Sequence, residues 1–460
     1  MRVAIIGSGP AGFYAAEALL KRSDTNVAVD MFDRLPTPFG LVRGGVAPDH
    51  QRMKSITRAY EKIADHPSFR FFGNVCLGPD LKVEDLRRHY HQIVYAVGNE
   101  GDRRLGIPNE GIARCTPSSV FVGWYNGHPD YRSAKIDLTV SAAAVIGHGN
   151  VGADTSRILL HSPEHLSKTD IAEHALEALR QSRIRALYLI GRQGPEQATF
   201  TPKELQELGQ LEDVDIIINP DELAGTTLEA NPEGSLAEQN LHILQSFAKR
   251  PVAGCKKKLI LRFWHSPTEL IADQTGGVAA IKLRKNSFTP GPQGEVIADP
   301  SAPLEQIDVG MVLTAVGFAG KPIEGIPFDE EKLLITNEDG RVVSGPSRQP
   351  VPGEYVVGWA RSGPRGLIGF HKGASATVVN HMIADGAGLE RRQLPDPDAI
   401  LAILQERGIQ PVTFYDWKRL DDVETARGAR RGAPRDKIVD VAAMLRILGQ
   451  EDLAAAPSES

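Results

Sequence analysis

Cysteine is scarce in this 460-residue chain: Cys76, Cys115 and Cys255 lie far apart, with no C-x-x-C pair. That excludes a thioredoxin-type dithiol and a cysteine-ligated iron-sulfur cluster within the chain, and the three thiols are expected to be reduced and structural. The 13 histidines show no metal-ligand spacing, so no metal is expected. No apolar run reaches the roughly 18 residues that a bilayer-spanning helix needs. The start is taken up by a glycine motif and leaves no room for a signal peptide, so a cytoplasmic protein is expected. A net charge of -6 speaks against general nucleic-acid binding. The length exceeds what one core can organise and predicts two or three domains.

The chain is organised around its first forty residues. An apolar strand, Val3 to Ile6, runs into Gly7, Gly9 and Gly12 spaced G-x-G-x-x-G, then into a helical pattern through Pro10, Ala11 and Ala15 to Leu20. The first glycine permits a tight turn, the second lets backbone approach a pyrophosphate, and the third lets helix and strand pack closely. The helix start offers unpaired N-H groups to the phosphates. A second strand, Val27 to Phe32, delivers Asp33, where an acid takes a ribose 2'-hydroxyl and disfavours a 2'-phosphate.

Between Leu35 and His50 comes a proline- and glycine-rich loop too long for a simple connector, which predicts that it crosses the pocket. His50, at its end, is either close to a reacting ring or a solvated capping residue. A helix over Gln51 to Ala64, a strand at Phe69 to Phe72 and a buried strand ending at Gly98 continue a strand-helix alternation, which predicts a parallel, doubly wound sheet.

The architecture restarts at Ala142. Strand Ala143 to Ile146 enters Gly147-His148-Gly149-Asn150-Val151-Gly152 and a helix through Leu160. The next strand, Ala186 to Ile190, ends in Gly191-Arg192-Gln193-Gly194, with Arg192 where the first module carries an acid. A guanidinium there suits the 2'-phosphate of NADP. Asp154, in the first turn of that helix, is stabilised by the helix dipole at the least. Two modules, one ending in an acid and one in an arginine, predict FAD in the first and NADPH in the second, with hydride passing between the two rings.

Further on, Leu241 to Arg262 carries Lys249, Arg250, Lys256, Lys257, Lys258 and Arg262 without an acid, either a docking face for an acidic partner or a solvated loop. A buried strand ending at Gly317 echoes the one ending at Gly98. Glu354 to Trp359 feeds Arg361 to Gly369 and a small-residue helix, whose first N-H groups could bind an electron-rich oxygen. The segment from Leu394 to Gly449 is charged and helical, and Ala454 to Ser460 reads as a frayed tail.

The motifs GSGPAG, LPTPFGLVRGGVAPDH, FVGWYNGHPD, GHGNVGADTSRILL, GRQGP and YVVGWARSGPRGLIG together resemble the adrenodoxin-reductase-type ferredoxin-NADP reductases, including those of actinobacteria, and more widely the glutathione-reductase-like flavoproteins. The resemblance implies an α/β fold of two nucleotide-binding, Rossmann-like domains, with the NADP domain inserted into the FAD domain. The boundaries would be 1–104 and 319–460 for the FAD domain and 105–318 for the NADP domain. It implies FAD contacts at Pro10, Ala11, Asp33, Leu41, Leu77, Trp359, Gly366, Leu367 and Ile368, beside the turn glycines Gly7, Gly9 and Gly12. It implies NADP contacts at Arg103, Gly149, Asn150, Val151, Arg192, Glu204 and Gly366, beside Gly147 and Gln193. It sets His50 and Asp154 near the flavin as a proton relay. The acceptor it implies is an acidic ferredoxin, a carrier of the kind that can feed a cytochrome P450, with Lys256, Lys257, Lys258 and Arg250 as candidate docking contacts. One departure stands out: the family's GRRGP has two arginines, whereas Gln193 follows Arg192 here. A lost phosphate-facing charge costs about 1–3 kcal/mol and erodes preference for NADPH over NADH. Two other readings use the same nucleotides: a flavin monooxygenase or oxidase, and the electron-input subunit of a larger complex.

Overall fold

The computed structural model describes residues 1–223, 234–289, 295–345, 347–364, 366, 368–389 and 391–450. Two sheets carry the fold, the first parallel except for its antiparallel edge strands Asn337–Glu338 and Arg341–Ser344. In the first, the strands run Asn337–Glu338, Arg341–Ser344, Gln349–Val356, Gln92–Tyr95, Arg2–Ile6, Ala28–Phe32, Phe69–Phe72, so residues from both ends of the chain share one sheet. The second is ordered Cys115–Pro117, Met311–Thr314, Ala142–Ile146, Ala186–Ile190, Lys257–Arg262, Val214–Ile218, parallel throughout.

The central strands are predominantly apolar because both faces are covered, as parallel sheets require. Successive side chains point to opposite faces. Val3 and Ile5 join the core under the helices at Pro10–Leu20 and Phe370–Gly386, while Ala4 and Ile6 join the opposite one with Leu86 and Leu404. Ala143 and Val145 pack against helices, with Ala144 and Ile146 on the other side.

That other side holds a structure the sequence did not announce. An antiparallel sheet of His265–Ala272, Val278–Thr289, Glu295–Ala298 and Leu304–Asp308 lays Leu270, Val278, Ile281, Leu283 and Ile307 onto the second parallel sheet, in place of the helices of a doubly wound fold. Its strands mix the charges Glu269, Lys282, Arg284, Lys285, Glu305 and Asp308 with apolar residues and so resemble solvated segments in the sequence. The helix expected over Gln51 to Ala64 forms as two pieces, Gln51–Lys54 and Thr57–Ala64. Between them the Ser55 hydroxyl donates to the Arg52 carbonyl at 2.7 Å, a local bond that competes with helix continuation.

The chain crosses between the sheets twice, and the crossings pair: Gly101–Asp102 runs antiparallel to Phe318–Ala319. Among the described residues no helix is long and apolar enough to cross a membrane. The C-terminal helices Phe414–Arg430 and Val441–Leu448 return Trp417, Leu420, Met444 and Leu445 to the first core, the former helix starting on a Thr413–Asp416 capping box.

Candidate active site between two glycine turns

The two glycine turns are built alike, atom for atom. Gly7 and Gly147 sit at φ +105° and +132°. Each follows a strand and donates its N-H to the end of the next strand, Phe32 O at 2.8 Å and Ile190 O at 2.8 Å. A Cβ at Gly7 would stand 2.4 Å from Ala96 O, and one at Gly147 2.3 Å from Ala315 O. Gly12 and Gly152 would drive a Cβ to 2.2 and 2.1 Å from the carbonyls of Gly7 and Gly147. The middle glycines differ from these: a Cβ on Gly9 meets nothing within 4 Å, and one on Gly149 meets only Thr199 Oγ1, at 3.1 Å.

The open side of each turn is therefore the side a phosphate would approach, and the helices there start without a side-chain cap or an acid in the first turn, since Asp154, expected there, is the fifth residue of Asn150–Leu160. Their first N-H groups, from Ala11 onward in one, since Pro10 has none, and from Asn150 and Val151 in the other, are available to an anion. The Asn150 side chain itself is engaged, accepting from Thr201 N at 2.8 Å.

Around the first turn, Asp33 accepts from Ser8 N at 2.9 Å and Ser8 Oγ at 2.5 Å on one oxygen, and from Leu35 N at 3.0 Å on the other. Burial raises its carboxyl above the ordinary range, against those hydrogen bonds. The loop after it folds back over the turn: Phe39 N reaches Ser8 O at 3.0 Å, and a Cβ on Gly40 would touch Gly9 Cα at 3.0 Å. Leu41 is left 41% exposed beside this turn, an apolar surface that a flat ring could cover. Trp359 buries its Nε1 without a partner, next to Gly358 at φ +68°. Gly358 stands where a Cβ would come 2.6 Å from the Ala11 Cβ, so the expected flavin contacts at Trp359 and Ala11 do converge. Leu77 is half-buried and Gly366 takes φ +82°, while Ile368 packs against the first core. Leu367 lies outside the described residues.

Around the second turn, Arg192 is exposed and makes no side-chain hydrogen bond or ion pair among the described residues, although its carbonyl is held by Asn286 Nδ2 at 2.6 Å. The Gln193 carbonyl is held by Trp264 N at 3.1 Å. The backbone is pinned, and among the described residues neither side chain has a hydrogen-bond partner. Arg103, exposed, bonds its N-H to Gly317 O at 3.0 Å, at the paired crossings.

His50 and Asp154 meet through a residue the sequence reading passed over. Arg157, buried, bonds Asp49 through Nε and a terminal nitrogen at 2.8 and 2.9 Å and Asp154 at 2.7 Å. Its guanidinium lies 3.4 Å from Glu204 and 3.2 Å from Glu207. His50 Nε2 is 2.7 Å from Glu207 Oε2 and 3.0 Å from the same guanidinium. A ring N-H that donates to Glu207 leaves Arg157 only an electrostatic contact there. Burial opposes a charge on His50, but the Glu207 hydrogen bond and nearby carboxylates raise its pKa overall.

Glu204 is raised as well: burial, then Asp154, push its carboxyl up to about 7. Glu207 falls to about 2, where burial is outweighed by His50 and Arg157. Glu204 thus sits inside this cluster, 3.6 Å from His50. The fold also gathers ligand atoms of His50, Glu204 and Glu207, and of Asp49, His161 and His165, within 4.8 Å. In both groups Arg157 supplies the positive charge that an ion would bring. Arg157, Glu207 and Asp49 were within reach of sequence reasoning only through position: Arg157 is three residues after Asp154, Glu207 three after Glu204, and Asp49 precedes His50.

With this geometry described, the relatives can be set beside it. The family profile described as an NAD(P)-binding Rossmann-like domain matches residues 5–74. The NADPH-ferredoxin reductase FprA of Mycobacterium tuberculosis is 41% identical over 456 residues, covering 97% of this chain and 98% of that one. The chain belongs to the adrenodoxin-reductase-type NADPH-ferredoxin reductases. The mitochondrial NADPH:adrenodoxin oxidoreductase of Arabidopsis thaliana is 39% identical, over 95% of this chain and 93% of its own. A solved structure of Mycobacterium tuberculosis FprA in complex with NADPH superposes with a TM-score of 0.92 at 40% identity, covering 97% and 99%.

In this reductase the basic run expected to dock a partner does not form one patch. Lys257 turns inward, and its Nζ donates to Leu160 O at 2.9 Å. Arg250 is held on Gly209 O at 2.8 Å, over the Phe247 ring. Lys256 is exposed and 3.5 Å from Asp213; Lys258 is an exposed strand residue.

Proposed function

We propose that the chain carries reducing equivalents from NADPH, through FAD, to an acidic ferredoxin in the cytoplasm. Residues 1–104 and 319–460 would hold the flavin and 105–318 the pyridine nucleotide. The observation that carries this is the pair of like-built turns, one closed by a carboxylate and the other by an arginine without a side-chain partner among the described residues. The residues fit the groups: phosphates meet the open faces of Gly9 and Gly149, and the unpartnered Trp359 Nε1 and exposed Leu41 edge the flavin cleft. Bound FAD would supply the change from a two-electron donor to one-electron discharge. The protein's own part is to bind, orient and hold protons. The helix starts would hold the two pyrophosphates, Arg192 would meet the 2'-phosphate, Arg103 would contact NADP from the paired crossings, and those crossings would keep the two turns in register. Glu204, balanced near neutral pH, and His50 form a proton reserve, with Asp154 and Arg157 holding its charge. Three unpaired cysteines fit a reducing compartment and direct discharge without a dithiol.

Stopped-flow mixing of the yellow holoprotein with NADPH or NADH, then with an acidic ferredoxin, tests the reading. Bleaching by NADPH and rapid reoxidation by ferredoxin are expected, with only modest discrimination against NADH. Gln193→Arg is expected to improve NADPH affinity about 5- to 100-fold, equivalent to about 1–3 kcal/mol of charge-assisted hydrogen bonding. Substrate-dependent NADPH consumption with oxygen, and no electrons to ferredoxin, would overturn it in favour of a monooxygenase.

A further inference from the structure

A groove of about 530 Å³ opens beside the first glycine module, between the two short helices that follow His50 and the start of the Phe370–Gly386 helix. Its floor is apolar, from Met53, Ile56, Ala59 and Ile368. Its rim carries Arg52, Arg58 and Lys62, all exposed, and none has a side-chain hydrogen bond or ion pair among the described residues. Among the described residues no acid lines it, and Glu17, on the neighbouring helix, is already taken by Lys21 at 2.5 Å and Lys372 at 3.1 Å. Glu61, between the rim cations in sequence, is surrounded by Asp65, Lys418 and Asp421 instead. One residue past the groove, Phe370 stands 63% exposed.

Unpaired cations around an apolar floor are the complement of an acidic protein with an apolar centre, since charges steer the encounter and buried apolar contacts hold it. The cations of the Lys256 run are by contrast engaged within the chain or spread apart. The groove walls are also the right ones for electron exit: Met53 is three residues from His50, and Ile368 belongs to the segment expected against the flavin. We propose that this groove is where an acidic iron-sulfur protein docks, with Arg52, Arg58 and Lys62 as its charged contacts and Phe370 as an apolar anchor. The proposal rests on the ferredoxin-reductase reading above.

The test uses the holoprotein and a plant-type acidic [2Fe-2S] ferredoxin, with cytochrome c reduction as the ferredoxin-dependent assay and ferricyanide as the small acceptor. Arg52→Glu/Arg58→Glu/Lys62→Glu is expected to raise the KM for ferredoxin about tenfold or more and to flatten its salt dependence, with the ferricyanide rate unchanged. Phe370→Ala is expected to raise the same KM without changing the salt slope, and Lys256→Glu/Lys258→Glu to leave it as it is. Native KM in the triple variant, equal loss in both assays, or a rise confined to the Lys256 variant would overturn the groove. A native protein that reduces ferricyanide but no ferredoxin would instead remove the functional reading, and the groove with it.

Discussion

Arg157 faces four carboxyl groups, Asp49, Asp154, Glu204 and Glu207, with His50 and Lys203, the latter 3.3 Å from Glu207, to help balance them. Three cations against four anions in a largely buried cluster cannot all stay ionised cheaply, and Glu204, flanked by Asp154 and Glu207, is the group that yields. Its carboxyl is raised from an ordinary 4.5 to about 7, so the folded protein holds that proton more tightly than the unfolded chain. Stability from this group is full below 4.5 and is lost as pH rises through about 7. Glu204→Gln, which keeps the shape and removes the charge, is expected to match the native thermal midpoint near pH 4.5 and to exceed it by pH 8. A difference that stays constant with pH would show that Glu204 ionises freely. The family resemblance marked His50 and Asp154 as a proton relay and Glu204 as an NADP contact, but a charge cluster is a property of side chains from three separate segments, and Arg157 reads in the sequence as an ordinary helix residue.

At the scale of elements, the glycines of each turn divide by what stands in front of them. Gly12 faces the Gly7 carbonyl and Gly9 faces open space, although both belong to one motif. Gly12→Ala must therefore push helix from strand, an overpacking cost of about 1–3 kcal/mol or more, visible as a lowered denaturation midpoint. Gly9→Ala, at φ -75°, is expected to keep the native midpoint and circular dichroism while losing flavin absorbance on purification. If Gly9→Ala retains flavin at the native ratio, the pyrophosphate does not approach where the turn is open. Strand, turn and helix were legible here because each is decided within about ten residues, by apolar runs and by glycines that only one backbone shape explains. The antiparallel sheet over the second module was not, because its half-exposed strands mix charge with apolar residues and make sense only against the surface they cover.

Across the whole molecule, the C-terminal segment works as a staple. Lys437, buried, places its Nζ 3.0 Å from Asp170, which also binds Lys54 Nζ at 2.8 Å. One carboxylate thus joins the helix after His50, the second-sheet region and the chain's end. Arg431 adds bonds to Glu173 at 2.6 Å and Ile171 O at 2.7 Å, and Arg43 grips Glu424 at 2.8 and 2.5 Å. Asp170→Asn leaves two buried ammonium groups facing one another without a counter-charge, and removing one partner of a buried cluster typically costs about 3–5 kcal/mol. A thermal midpoint lower by several degrees is expected, with proteolysis at the junction accelerated. An unchanged midpoint and digestion pattern would show that the segment only rests on the surface.

The sequence by itself determined the two nucleotide modules, their order, the acid and arginine that tell them apart, and the absence of a dithiol, because those depend on neighbours within a turn or a strand. Tertiary structure alone decided which charges meet. Arg157 became the centre of the cluster, Lys257 turned inward, Arg52, Arg58 and Lys62 were left unpaired around an apolar groove, and the final helices became a clasp. Coulomb energy and burial depend on distance in space, and the chain order does not encode those distances until the sheets bring remote segments together.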